Sequence, residues 1–153
     1  MSSLQKSGVS LHLIGRRLHY SPTLSTREYN TFRFNMLFNK GFLFYAFYNF
    51  RLFLYLLTRK KIDVLVANDL DTLPANYIVS CLRNAILIYD SHEYFTESPE
   101  LVGRKRIKNF WLWLEKRIIP YIKYAYTVSQ SIADEYHHKY GVEFKVVRNF
   151  PTN

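Results

Sequence analysis

A chain of 153 residues, 48% of them hydrophobic and 22% charged, is long enough to bury a core, which excludes a disordered or fibrous protein. Its net charge of +9 directs it toward anionic partners such as acidic lipid headgroups, nucleic acid or phosphorylated substrates, without choosing among them. The single cysteine, Cys81, excludes an internal disulfide and fits a reducing compartment.

Ser3 to Lys6 reads as the last turn of a helix, stopped by Gly8, and Ser2 to Gly8 lacks the apolar stretch of a signal peptide. Val9 to Ile14 alternates and predicts a strand. Gly15 to Thr26 is polar, holds Pro22 and predicts a loop. Tyr29 to Phe34 alternates polar and aromatic residues, a second strand. Phe42 to Arg59 predicts a long helix, closed by the basic run Arg59-Lys60-Lys61 that complements the helix dipole. Its apolar part falls short of the ~20 residues a bilayer needs. Asn49 and Arg51 interrupt it, and a mid-span Arg would cost at least ~2.5 kcal/mol. A buried amphipathic helix is therefore expected, not a membrane span.

Asp63 to Ala67 reads as a buried strand. Asp69 is the expected N-cap, and Pro74 the first-turn proline, of a helix running to about Leu82. Ala85 to Tyr89 is the next strand, and Asp90 to Pro99 its exit loop. Leu101 to Ile122 predicts a second long helix, with Ile107, Phe110, Trp111, Leu114 and Ile118 on one face and Pro120 bending or ending it. Tyr124 to Val128 is a strand. Ser129 caps a helix over Gln130–Lys139, stopped by Gly141. Phe144 to Val147 is the last strand, left through Arg148-Asn149-Phe150-Pro151. Apolar strands alternating with helices specify an α/β fold. The expected architecture is a doubly wound, Rossmann-like parallel sheet with helices on both faces, in a single domain spanning 1–153.

In such sheets ligands bind at the carboxyl ends of the strands. Tyr89-Asp90-Ser91-His92-Glu93 lies at such an end, which makes His92 the first candidate. Its imidazole can hydrogen-bond a sugar hydroxyl or phosphate and titrates near neutral pH; the plainer reading is a His that caps a backbone group. Glu93, Glu97 and Glu100 can act as bases or ligands, although the following helix N-terminus suits Glu97 and Glu100 as dipole partners. Asn68 ends a neighbouring strand and can face the same cleft; capping accounts for Asp69 and Asp71. Ser129 and Ser131 open a helix where N–H groups attract phosphate, and capping explains them equally. His137 and His138 diverge by about 100° on a helix, so no metal site is expected. No dinucleotide fingerprint or Walker A loop occurs. Lys105, Lys108 and Lys116, with Leu112 and Trp113 beside them, outline a basic face that suits an anionic membrane. Its plainer reading is a solvated helix whose Trp packs on a neighbour.

Four runs stand in one order: Val66-Ala67-Asn68-Asp69-Leu70-Asp71-Thr72-Leu73, Tyr89-Asp90-Ser91-His92-Glu93, Tyr126-Thr127-Val128-Ser129-Gln130-Ser131-Ile132-Ala133 and Val147-Arg148-Asn149-Phe150-Pro151. In order and spacing they resemble the N-terminal half of a family-four retaining glycosyltransferase of GT-B architecture, most like bacterial enzymes of surface-polysaccharide synthesis. The resemblance covers about Val9 to Pro151. It implies an acceptor-binding domain that takes a glycan or lipid-linked acceptor. The nucleotide-sugar donor belongs to a C-terminal domain missing from this chain, so this domain itself binds no cofactor. His92 matches the family's cleft histidine, implying hydrogen bonding and charge stabilisation as the glycosidic bond shifts, with Glu93 beside it as catalytic. Asn68, Asp69, Ser91, Ser129 and Asn149 are expected to line the cleft, with Asn149 and Pro151 at the exit toward the hinge. The first strand and its Gly-rich loop are also missing, which would leave Val9–Ile14 and Asp63–Ala67 without a shared neighbour. A fragment, inactive alone, is therefore expected, cytoplasmic and peripheral at the inner membrane face. Two alternatives remain: a basic α/β module for membrane or nucleic acid, with nucleic acid disfavoured, and half of a sugar-nucleotide epimerase.

Overall fold

The computed structural model describes residues 7–24, 27–38, 40–97, 101 and 103–148. The turn expected at Ser3–Lys6, Glu100, and the strand exit with Asn149 and Pro151 lie outside the described residues. In order come β1 (His12–Arg17), β2 (Asn30–Asn35), α1 (Gly41–Leu57), β3 (Val64–Asn68), α2 (Leu73–Arg83), β4 (Ile86–Ser91), α3 (Lys105–Ile118), β5 (Tyr124–Thr127), α4 (Gln130–Tyr140) and β6 (Lys145–Val146). The fold is mixed α/β with parallel strands throughout. Among the described residues six strands form a two-stranded and a four-stranded sheet. The chain, which reads as one domain, divides into two compact units, 1–51 and 52–153.

In the first unit β1 and β2 pair from His12↔Asn30 to Arg17↔Asn35. β1 lies three residues later than the alternation predicts and takes up Gly15–Arg17 from the expected loop, because its ladder with β2 runs through Arg17. Phe34 is buried and meets Tyr48 edge to face at 5.9 Å. The Arg51 guanidinium lies 5.0 Å from the Phe34 ring and donates to the Asn35 carbonyl at 2.6 Å. Arg51 thus interrupts an apolar helix in order to close the end of β2. Among the described residues no helix is long and apolar enough to cross a membrane.

The second unit holds the sheet β3-β4-β5-β6. Paired residues in a parallel ladder share a face, and side chains alternate faces along each strand. Ala67, Tyr89 and Ala125 stand in register on one face, with Ser91 opposite Thr127 further along it, and all five are buried. On this face Tyr136 of α4 meets Tyr89 edge to face at 6.4 Å and stacks on Phe144 at 4.2 Å. The opposite face carries Val64, Val66, Ile86 and Tyr124, each about half exposed. β4 runs two residues beyond the predicted Tyr89, since β5 pairs with Asp90 and Ser91.

The helix expected over Leu101–Ile122 is shorter. It runs from Lys105 to Ile118, and Pro120 then sits in a separate 3₁₀ turn, Ile119–Tyr121. Proline has no N–H to continue the ladder. Trp111, Leu114 and Ile118 of the predicted stripe are buried; Ile107 and Phe110 are half-buried. α4 ends at Gly141, whose φ of +68° is a left-handed stop that favours glycine.

Candidate functional site

The carboxyl ends of β3 and β4 lie side by side, with Asn68 opposite Asp90. Beyond them the chain turns sharply at Asp69, whose φ of +59° is left-handed. Asn and Asp tolerate this conformation better than other non-glycine residues. Asp69 N–H donates to the Asp90 carbonyl at 2.8 Å, which prolongs the ladder by one bond. Its carboxylate then reaches across: Oδ1 accepts from the His92 backbone N–H at 2.9 Å, and Oδ2 stands 3.5 Å from His92 Nδ1. His92 Nε2 lies 3.3 Å from Asp90 Oδ2. Both ring nitrogens therefore face carboxylates. A protonated ring serves both acids, and a neutral ring donates to one.

These contacts correct the role expected for Asp69. It is not the N-cap of α2. Thr72 holds that position without a side-chain cap bond, and its hydroxyl turns back to the Asn68 carbonyl at 2.7 Å. The left-handed turn at Asp69 aims its carboxylate at His92, not along the helix axis.

The alternation of β4 sorts the rest. Asp90 points to the face of Tyr126, its ladder partner, and Ser91 to the face under α4. Burial pushes the Asp90 carboxyl up; the nearby His92 and a hydrogen bond from Tyr126 pull the other way. The Tyr126 hydroxyl is pushed up to about 12, by burial first and the Asp90 charge second. The His92 side chain keeps 44% of its surface exposed, against 10% for Asp90. The ring is thus held from behind and open in front.

Glu93 is exposed beside it, as is Asn68. Ser91, expected in the cleft, is fully buried. Its hydroxyl donates to the Glu93 carbonyl at 2.9 Å and lies 3.3 Å from the Tyr136 hydroxyl. Ser129 caps α4, accepting from Ile132 N–H at 3.4 Å, with Ser131 Oγ at 3.1 Å. His137 and His138 are exposed, and among the described residues no group of three His, Cys, Asp or Glu is placed to hold a metal ion. Reasoning from sequence placed Asp90 beside His92 without giving it a role, and passed over Tyr126 as a site residue. The signal for Asp90 was its place at the end of β4, two residues before His92.

A hollow of about 280 Å³ in the first unit is lined by Arg17, Pro22, Thr23, Leu24, Arg33 and Asn35. Its described lining residues include no imidazole and no carboxylate.

Of the residues expected to face a membrane, Lys105 and Lys116 are exposed, Trp113 is 56% exposed and Leu112 is half-buried. Lys108 is not free for such a surface: its ammonium holds both Glu97 carboxylate oxygens, at 2.8 and 2.7 Å. Trp113 stacks on Phe110 at 6.2 Å, with the Arg117 guanidinium 5.8 Å from its ring.

Residues 1–150 match the sequence profile described as Glycosyltransferase Family 4. No curated protein matches the chain.

Proposed function

We propose, since the chain belongs to glycosyltransferase family 4, that it forms the acceptor-side half of a GT-B enzyme. That enzyme moves a sugar from a nucleotide-sugar donor to a glycan or lipid-linked acceptor, in bacterial surface-polysaccharide synthesis. The observation that carries this reading is His92, open in front and held from behind by Asp69 and Asp90, at the carboxyl ends of two parallel strands. One of its two ring N–H groups, exchanging its carboxylate for the substrate, supplies a hydrogen bond to an oxygen that gains charge as the glycosidic bond shifts. Asn68 and Glu93 flank it at the acceptor side. In that enzyme the nucleotide-sugar donor is bound by a second domain, and residues 1–153 supply the acceptor side. Assays of the purified chain for sugar transfer and for nucleotide-sugar hydrolysis are expected to stay at background. Clear turnover would refute the acceptor-half assignment.

The exposed Trp113, stacked on Phe110 among Lys105, Lys116 and Arg117, supports a second element of the proposal. This face of α3 rests on the anionic cytoplasmic surface of a membrane, where a lipid-linked acceptor is met. Basic residues near such a surface contribute about 1 kcal/mol each. Cosedimentation with vesicles containing phosphatidylglycerol is expected, weakened several-fold by Trp113→Ala and abolished by high salt. Equal sedimentation with neutral vesicles, or none with either, would refute docking of this face on an anionic membrane.

A further inference from the structure

Beneath the His92 loop lies a buried carboxyl that the proposed chemistry does not use. Glu115 of α3 is fully buried. Its Oε2 accepts from Tyr140 Oη at 2.8 Å and, in a longer contact, from Thr96 Oγ1 at 3.4 Å. Its other oxygen, Oε1, is buried without a hydrogen-bond partner. Tyr136 lies beside the same carboxyl, and the Tyr136 hydroxyl reaches Ser91 Oγ at 3.3 Å. Ser91 Oγ in turn donates to the Glu93 carbonyl at 2.9 Å. Thr96, at the far end of the loop, is also fully buried.

We propose that Glu115 is the positioning residue of the site: one buried carboxyl, with Tyr136 and Tyr140, holds both ends of the Ser91–Glu97 loop and thereby sets where His92 and Glu93 stand. The inference rests on the reading of His92 as the reacting-site residue, but its test uses no sugar transfer, so the two can fail separately. A surface turn holds its shape by its own backbone bonds. This loop is tied inward at Ser91 and Thr96 to one polar cluster in the core.

The charge state of Glu115 follows from its surroundings. The groups that face it are Thr96 from the loop, Tyr136, Tyr140 and Lys139 from α4, and Tyr89 from β4, the last close enough to feel its charge. Burial pushes its carboxyl up; the hydrogen bonds from Tyr140 and Thr96, the nearby Tyr136 hydroxyl and the Lys139 charge offset this only in part. An ionised oxygen with no partner in the core is costly, and a neutral acid much less so. At pH between the ordinary carboxyl range and its raised folded value, the folded state therefore keeps a proton that the unfolded chain has lost. Stability from this group is fully present below the ordinary carboxyl range and falls as pH rises through the raised folded value.

The test is hydrogen exchange of the loop amides, expressed as protection factors, with the His92 ring resonances followed by NMR. Glu115→Leu and Tyr136→Phe are each expected to cut protection of residues 92–97 about tenfold, the loss of one anchoring hydrogen bond, and to shift the His92 titration. Tyr136→Phe keeps the ring packing and so stays folded if Glu115→Leu does not. Glu115→Gln, a neutral isostere, is expected to keep the wild-type loop and to remove the pH dependence of its protection. Leu114→Ala, one residue away on the same helix, lowers stability and protection across the unit without moving the His92 titration. Overturning results are loop protection and His92 titration unchanged in Glu115→Leu and Tyr136→Phe, or altered no more than in Leu114→Ala.

Discussion

Tyr136→Ala is expected to be the most destabilising single change in the second unit, at about 3–5 kcal/mol. The ring is fully buried. It stacks on Phe144 at 4.2 Å with an interplanar angle of 6° and meets Tyr89, Tyr94 and Tyr140 at 6.4, 5.4 and 6.2 Å. Truncation empties the space that Tyr136 fills between Tyr89, Tyr94 and Phe144, and rings packed on several sides leave the neighbours little room to close it by a local shift. Domains of this size are stable by about 5–15 kcal/mol, so the variant sits close to unfolding. Tyr136→Phe removes only the hydroxyl, and Ser91 keeps its bond to the Glu93 carbonyl; its cost is about 0.5–1.5 kcal/mol. Urea unfolding checks both, with the midpoint falling and the slope unchanged. A loss below about 1 kcal/mol for the alanine variant would mean that this aromatic cluster does not hold the unit together.

The largest functional effect is expected at His92. In any preparation of the protein that transfers sugar, His92→Ala lowers kcat by about 10²- to 10³-fold, the range for removing one hydrogen-bond donor to a developing charge. The fold is little affected, because the ring is substantially exposed and the loop is held from Ser91 and Thr96. KM for the acceptor changes far less than kcat if the hydrogen bond strengthens in the transition state. Asp69→Asn separates orientation from charge. Asn accepts the left-handed φ and can still take the His92 N–H, so the loop stays in place while the ring loses one of its two anionic neighbours. A smaller loss of kcat, with a changed pH profile, is the expected result. His92→Ala at wild-type kcat would remove His92 from the chemistry.

Some of this was legible in the sequence because the determinants are local. The Ser129 cap, the Gly141 stop and the break at Pro120 each depend on residues within one helical turn, and each is found where its residue type predicts. The α/β class was legible too, since strand and helix periods differ along the chain. The departures come from partners far away in sequence. β4 extends through Ser91 because Thr127, 36 residues on, donates its hydroxyl to the Ser91 carbonyl at 2.8 Å. That extension turns Ser91 inward and leaves Asp90 beside His92. Asp69 reads as an N-cap by residue type, yet a left-handed turn spends its carboxylate on His92. Glu115 is one charge among many on a basic helix until burial distinguishes it.

On the proposed reading, acceptors bind at the carboxyl ends of β3 and β4, in front of His92. Titrating the isotope-labelled chain with glycan and lipid-linked acceptors, and separately with nucleotide-sugars, tests it most directly by chemical-shift mapping. The predicted result is saturable perturbation centred on Asn68, Asp69, His92 and Glu93 with an acceptor, and none there with a donor. Perturbation centred on another part of the chain, or binding of the nucleotide-sugar at His92, would contradict it.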